Sequence, residues 1–138
     1  MSADGRLLNE TLQAFNALRR QASDDSPWLR LVDRLAHAAF RASDTLIVYG
    51  SLSPGAPNHH RLAPLGGTWE PGWVEGERDH VGPHVSAHLL RSPALRDHWD
   101  MLDRFEGAAY ERILVPFHSH QGSRVVGYLY AAAPPPVT

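Results

Sequence analysis

From Leu8 to Arg20 apolar and polar positions alternate with a helical period. Leu8, Leu12, Phe15 and Leu18 recur at helical spacing, with Asn9, Gln13, Asn16 and Arg20 on the other faces. The pattern predicts an amphipathic helix that buries this stripe. A polar break, QASDDSP, follows, in which Ser26 before Pro27 fits an N-cap and first-turn pair. A second helix is predicted to bury Leu31 and Leu35, with Ala39 next in the row and Trp28 and Val32 nearby. Two such helices either pack as a hairpin on the rest of the chain or form a dimerisation element, and the pattern does not separate these readings.

After Ser43 the period shortens. TLIVY is a continuous apolar run, the mark of a strand buried on both faces. GTWEPGWVEGE alternates weakly and is interrupted by Pro71-Gly72, which predicts a bent or bulged strand. HVSAHLLR predicts a third strand. SPALRDHWDMLDRFEG predicts one helix, opened by Ser92 and Pro93, stopped by Gly107, and burying Leu95, Trp99, Leu102 and Phe105. YERILVPFHS and SRVVGYLYAA predict a hairpin around HQG. The tail APPPVT cannot continue a strand and is expected to be mobile. The element order indicates an α+β domain. Residues 1–43 read as a helical extension, 44–133 as the main domain and 134–138 as the tail, with no internal repeat or low-complexity linker.

Composition narrows the class. A chain of 138 residues with 43% hydrophobic and 20% charged residues is long enough for one domain with its own core. The net charge of −2 gives no basic surface for nucleic acid or anionic membrane. The absence of cysteine removes disulfides, thiolate metal sites and cysteine nucleophiles. No signal-peptide pattern and no run of about 20 apolar residues is visible, so the expected compartment is the cytoplasm.

Glu106 is the most informative single residue. It follows Leu102 by four positions and Trp99 by seven, so it shares the helix face that points inward. Burial and the helix C-terminus both raise the pKa of a carboxyl placed there, which suits general acid–base work near neutrality. The plain alternative is a helix-end glutamate that reaches solvent. The loop after Tyr49 carries a similar choice. A glycine at the end of a buried strand exposes successive backbone N–H groups that hold carboxylates or oxyanions, or it simply permits a tight turn with positive φ. Nine histidines include His80, His84 and His88 and the pair His118 and His120, but they supply no ordered three-ligand metal set. A Ser51–His59 nucleophilic pair lacks the surrounding Gly-x-Ser-x-Gly elbow.

Together, VYGSL at a strand end, PGAPNHH, LDRFEGAAYERILVPF and GYLYAA resemble the gamma-glutamylcyclotransferase-like family. The resemblance spans Leu46 to Ala132 and leaves the two N-terminal helices unmatched. It implies a small mixed β-barrel flanked by helices. It also implies that Tyr49, Gly50, Ser51, Leu52 and Tyr110 bind a gamma-glutamyl group and that Glu106 is the acid–base residue. The family's longer substrate-closing segment is compressed here to ERDHVGPHVSAHLL, with Gly82-Pro83 as its remnant, and Ala87 stands where a glycine is common. The wall that sets substrate choice therefore departs from the family.

The expected function is cleavage of a gamma-glutamyl amide by intramolecular aminolysis, giving 5-oxoproline and a free amine or amino acid. No metal or organic cofactor is implied. The expected partner is a small gamma-glutamyl substrate, with no nucleic acid or membrane, and the N-terminal helices are a candidate homodimer interface. The alternative is a non-catalytic binding or regulatory module that keeps the cavity.

Overall fold

Five strands close into a barrel in a computed structural model that describes residues 3–22, 27–75 and 84–132. The expectations for the Ser26 cap, His80, the Gly82-Pro83 segment and the tail lie outside the described residues. The strands are β1 (Thr45–Val48), β2 (Thr68–Glu75), β3 (His84–Arg91), β4 (Tyr110–Ser119) and β5 (Arg124–Ala132). Their order is β1-β3-β2-β4-β5, and β5 returns to β1. That last pairing is parallel, Leu46 against Tyr128 and Ile47 against Leu129, while the others are antiparallel. Helices α1 (Ala3–Gln21), α2 (Pro27–Phe40) and α3 (Trp99–Glu106) flank the barrel. The class is α+β, as the strand and helix patterns predict. No helix among the described residues is long and apolar enough to cross a membrane.

Side chains alternate across each strand, so the barrel has two apolar faces. Ile47, Val74, Leu89, Phe117 and Leu129 form the inner cluster. Leu46, Val48, Leu90, Leu114 and Tyr128 face outward and meet Leu12 of α1, Ala36 of α2 and Leu102 of α3. All four β1 residues are buried, which accounts for the uninterrupted apolar run.

The expected bulge in β2 is absent. Its register with β3 runs unbroken from Thr68 against Arg91 to Glu75 against His84. Pro71 and Gly72 serve barrel closure instead. Where β2 meets β4 only Gly72–Ser119 and Trp73–His118 pair, and a Cβ at Gly72 would strike the His118 carbonyl and the Phe117 ring. The Pro71 carbonyl accepts from the His120 N–H at 3.1 Å, so the residue that lacks a donor still contributes an acceptor.

The single helix expected from Ser92 to Gly107 is divided. Ser92 caps a 3-10 turn, Pro93–Asp97, and α3 starts afresh at Trp99. The His98 ring occupies the Ala94 carbonyl at 2.7 Å, the acceptor that an α-helix would give to the His98 N–H, and that N–H turns to Leu95 at 2.9 Å. Leu95, Trp99 and Leu102 are buried and Phe105 packs against them, as the spacing predicts.

Helix α2 buries the face next to the one expected, rotated by one residue, or about 100°. Val32 and Ala36 are buried, while Leu31 (43% exposed), Leu35 (50%), Trp28 (50%) and Ala39 face solvent. On α1, Leu12 is buried and Leu8 and Phe15 pack on the core, but Leu18 is also exposed. The cause is polar. Asp33 faces the barrel, where it accepts from Arg19 at 2.8 Å and from the Tyr128 hydroxyl at 3.1 Å, and it lies 3.8 Å from Arg112. Arg112 is buried, bonded to both oxygens of Asp103 at 3.0 and 3.1 Å, and lies over the rings of Trp99 (4.5 Å) and Tyr128 (4.6 Å). Turning α2 to bury Leu31 and Leu35 would carry Asp33 away from Arg19, Arg112 and the Tyr128 hydroxyl, and the stranded charges would offset the gain from burying the leucines. Helix α1 is fastened separately. The Asn16 amide bonds both the N–H and the carbonyl of Leu114 at 2.8 and 3.0 Å, and Arg20 forks onto Glu111 at 3.0 and 2.7 Å.

Two stability measurements check this account. In urea unfolding, Gly72→Ala should cost toward the upper end of about 1–3 kcal/mol, because its Cβ meets backbone. Gly127→Ala should cost less, since its Cβ meets only the side chains of Thr45 and Ile47 at 3.1–3.3 Å. Arg112→Met should lose about 3–5 kcal/mol by stranding carboxylates. Adding Asp103→Asn should recover part of that loss, and strict additivity of the two changes would contradict a shared network.

Candidate functional site

The chain leaves the barrel at Val48, and the next four residues wall a cavity. Tyr49 anchors the exit by donating its hydroxyl to the Tyr130 carbonyl at 3.1 Å. Leu52 is buried in the outer core and pins the far end. Between them the loop bonds use carbonyls: Gly50 accepts from the Ser53 N–H at 3.0 Å, and Ser51 accepts from Asn58 at 2.8 Å. Among the described residues, the amides of Gly50, Ser51 and Leu52 donate no loop hydrogen bond. Gly50 does not have positive φ, and a Cβ there would meet nothing within 4 Å. A strained turn therefore does not explain this glycine.

Glu106 closes α3 on the opposite wall. Gly107 follows with φ 76°, ends the helix and turns the chain toward Tyr110 at the start of β4. Glu106 is half-buried, and burial raises its carboxyl above the ordinary 4.5. The other half-buried carboxylates among the described residues all have an arginine: Asp33 with Arg19, Asp44 with Arg96, Glu70 with Arg91, Asp103 with Arg112 and Glu111 with Arg20. Glu106 alone has none. Arg61 lies against the same last turn but stacks on the Phe105 ring at 4.1 Å and makes no ion pair with Glu106.

These pieces meet in one cavity of about 110 Å³, bordered by Tyr49, Gly50, Ser51, Leu52, Glu106 and Tyr110. The structure thus gathers all six candidate residues, which lie up to 61 positions apart in the chain (110 − 49). The volume is below the ~300–1,000 Å³ of pockets for drug-sized molecules and suits a small polar group. Ile47, Val48 and Tyr130 complete the lining. Tyr130 is the member that sequence reasoning missed. Its hydroxyl donates to Asp103 at 2.6 Å, and burial raises its pKa so that it stays a neutral donor. The signal available for it was its place in GYLYAA, two residues beyond outward-facing Tyr128.

The other candidates do not assemble. His59 bonds the Leu52 carbonyl through Nδ1 at 3.1 Å and packs on Trp69, so it is not held on the Ser51 hydroxyl. His118 stacks on Trp73 at 4.0 Å, Trp73 stacks on His84 at 3.6 Å, and burial lowers the His118 pKa. His120 sits past the end of β4 in the turn. The described residues contain no cluster of three or more metal-ligating side chains.

No family model matches the chain, and no curated protein matches it. Among solved structures, it is similar to the crystal structure of an AIG2-like protein (A2LD1, GGACT) from Mus musculus. The identity is 19% and the TM-score 0.45, over 65% of this chain and 77% of that one. A likeness of that size carries nothing about activity.

Proposed function

We propose that this chain cleaves a small gamma-glutamyl amide by intramolecular aminolysis. The substrate's own α-amine attacks the γ-carbonyl carbon, a new C–N bond closes the five-membered ring, and the amide C–N bond breaks. The products are 5-oxoproline and a free amine or amino acid. The α-amine is an ammonium at neutral pH and cannot attack until it loses a proton. Glu106 takes that proton and returns it to the leaving nitrogen, and the second proton that the attacking nitrogen sheds on ring closure leaves on the product amine as its ammonium. The amides of Gly50, Ser51 and Leu52 hold the substrate and stabilise charge on the carbonyl oxygen, and confinement in a small cavity supplies the ring-closing geometry. Tyr49 and Tyr110 wall the glutamyl group. One observation carries the reading: the sole half-buried carboxylate without an arginine among the described residues borders the same cavity as three amides with no loop acceptor.

The direct test is release of 5-oxoproline from a panel of gamma-glutamyl amides, with ligand-induced thermal shifts in parallel. Shifts without product would support the alternative, a module that binds and does not turn over. Glu106→Gln should remove turnover by about 100-fold or more, the scale of a general base, while keeping the fold. Retention of most activity would overturn the assignment. Because burial raises the Glu106 pKa, the acid limb of kcat/KM should lie above pH 4.5. The same shift favours the folded state only while Glu106 is protonated, and this advantage disappears as pH rises through the raised value. At pH 7, Glu106→Gln should therefore melt no lower than the wild type.

Gly50→Val should fold with an unchanged midpoint, since its Cβ enters open space and the backbone is not strained. It should nevertheless lose ligand-induced stabilisation, because a branched side chain blocks the approach to the amides. Undiminished binding in the folded variant would sink the cradle.

A further inference from the structure

A second, larger cavity of about 370 Å³ opens between one face of α2 and the turns beside β1 and α3. Arg30, Asp33, Arg34 and His37 border it from α2, spaced at i, i+3, i+4 and i+7, and Ser43 and Arg96 face them. The charges here are not balanced. Arg96 is held by Asp44 through two bonds of 2.6 and 2.7 Å, and Asp33 is committed to Arg19. Arg30 and Arg34, one helical turn apart, make no ion pair or hydrogen bond among the described residues. His37 adds a buried ring nitrogen, Nδ1, with no partner.

From this juxtaposition we propose that the cavity is a binding site for a small organic phosphomonoester, separate from the cavity at Glu106. Two guanidinium forks on one helix face match a dianion with three terminal oxygens, whereas a single carboxylate satisfies only one fork. The volume exceeds what the anion fills and falls within the range of small-molecule pockets. The aliphatic stems of Arg30 and Arg34 flank the remaining space and take the organic body. Asp33, already bonded to Arg19 and the Tyr128 hydroxyl, has its carboxylate committed elsewhere and leaves both arginines available to the phosphate.

The test is calorimetric titration of the full chain with adenosine 5′-monophosphate, inorganic phosphate and adenosine. The nucleotide should bind saturably at one site, inorganic phosphate should compete with it, and adenosine should give no heat. Arg30→Ala and Arg34→Ala should each weaken nucleotide binding by about tenfold, the scale of a lost charge-assisted bond, and the double variant should abolish it. Both arginines are exposed, so the variants should keep the wild-type melting midpoint. Glu106→Gln should bind the nucleotide as the wild type does. The proposal is overturned by absence of saturable binding at millimolar nucleotide, by full affinity in the double variant, by equal binding of adenosine, or by loss of binding in Glu106→Gln.

Discussion

The structure turns on where one buried guanidinium is allowed to sit. Arg112 lies on the outer face of β4, between the rings of Trp99 and Tyr128, with Asp103 bonded to it and Asp33 close by. No buried cation survives without such compensation, so each partner must arrive from its own element. Asp103 and Trp99 seat α3, Tyr128 belongs to β5, and Asp33 commits α2. Arg19 then joins α1 to the same centre through Asp33. With Asp103 committed to Arg112 and to the Tyr130 hydroxyl, the position of α3 is fixed, and Glu106 three residues later is delivered to the end of β1.

Barrel geometry does the complementary work on the other wall. β1 has four residues and lies between β3 with eight and β5 with nine. The chain therefore leaves the barrel while its neighbours continue, and Tyr49 finds the backbone of Tyr130 still in place to accept its hydroxyl. A longer β1 would engage the 50–52 amides in strand pairing. Closing so small a barrel needs β2 and β4 to approach at Gly72, which is why a Pro-Gly pair that reads as an interruption sits within an unbroken strand.

Much of this was legible in the chain. β3 and β4 run over HVSAHLLR and YERILVPFHS because period-2 alternation and turn residues are local signals. The α2 face was not legible, because the helix carries apolar residues on two faces and the choice is made by Asp33, whose partners lie 14 and 95 positions away. The break at His98 depends on a ring nitrogen capturing a carbonyl, which no periodicity encodes. Glu106 and the loop after Tyr49 stood out through helix-face spacing and a glycine at a strand end, the resemblance joined them, and their convergence needed the fold. Tyr130 and the Arg112 network escaped because a tyrosine and an arginine on alternating strand positions look like ordinary surface until a helix covers them.

What sets Glu106 apart is that no arginine among the described residues pairs with it. Arg61 packs its guanidinium on the Phe105 ring, next in sequence to Glu106, yet forms no ion pair with it. Had the fork closed on the carboxylate, Glu106 would resemble Asp44, whose carboxyl Arg96 holds below the ordinary value, and would be a weaker base. Held on the ring, Arg61 keeps a favourable partner of its own while Glu106 bears the cost of burial alone. The fold gives an arginine to each of its other half-buried described carboxylates and none to this one, and that asymmetry is what the proposed proton exchange rests on.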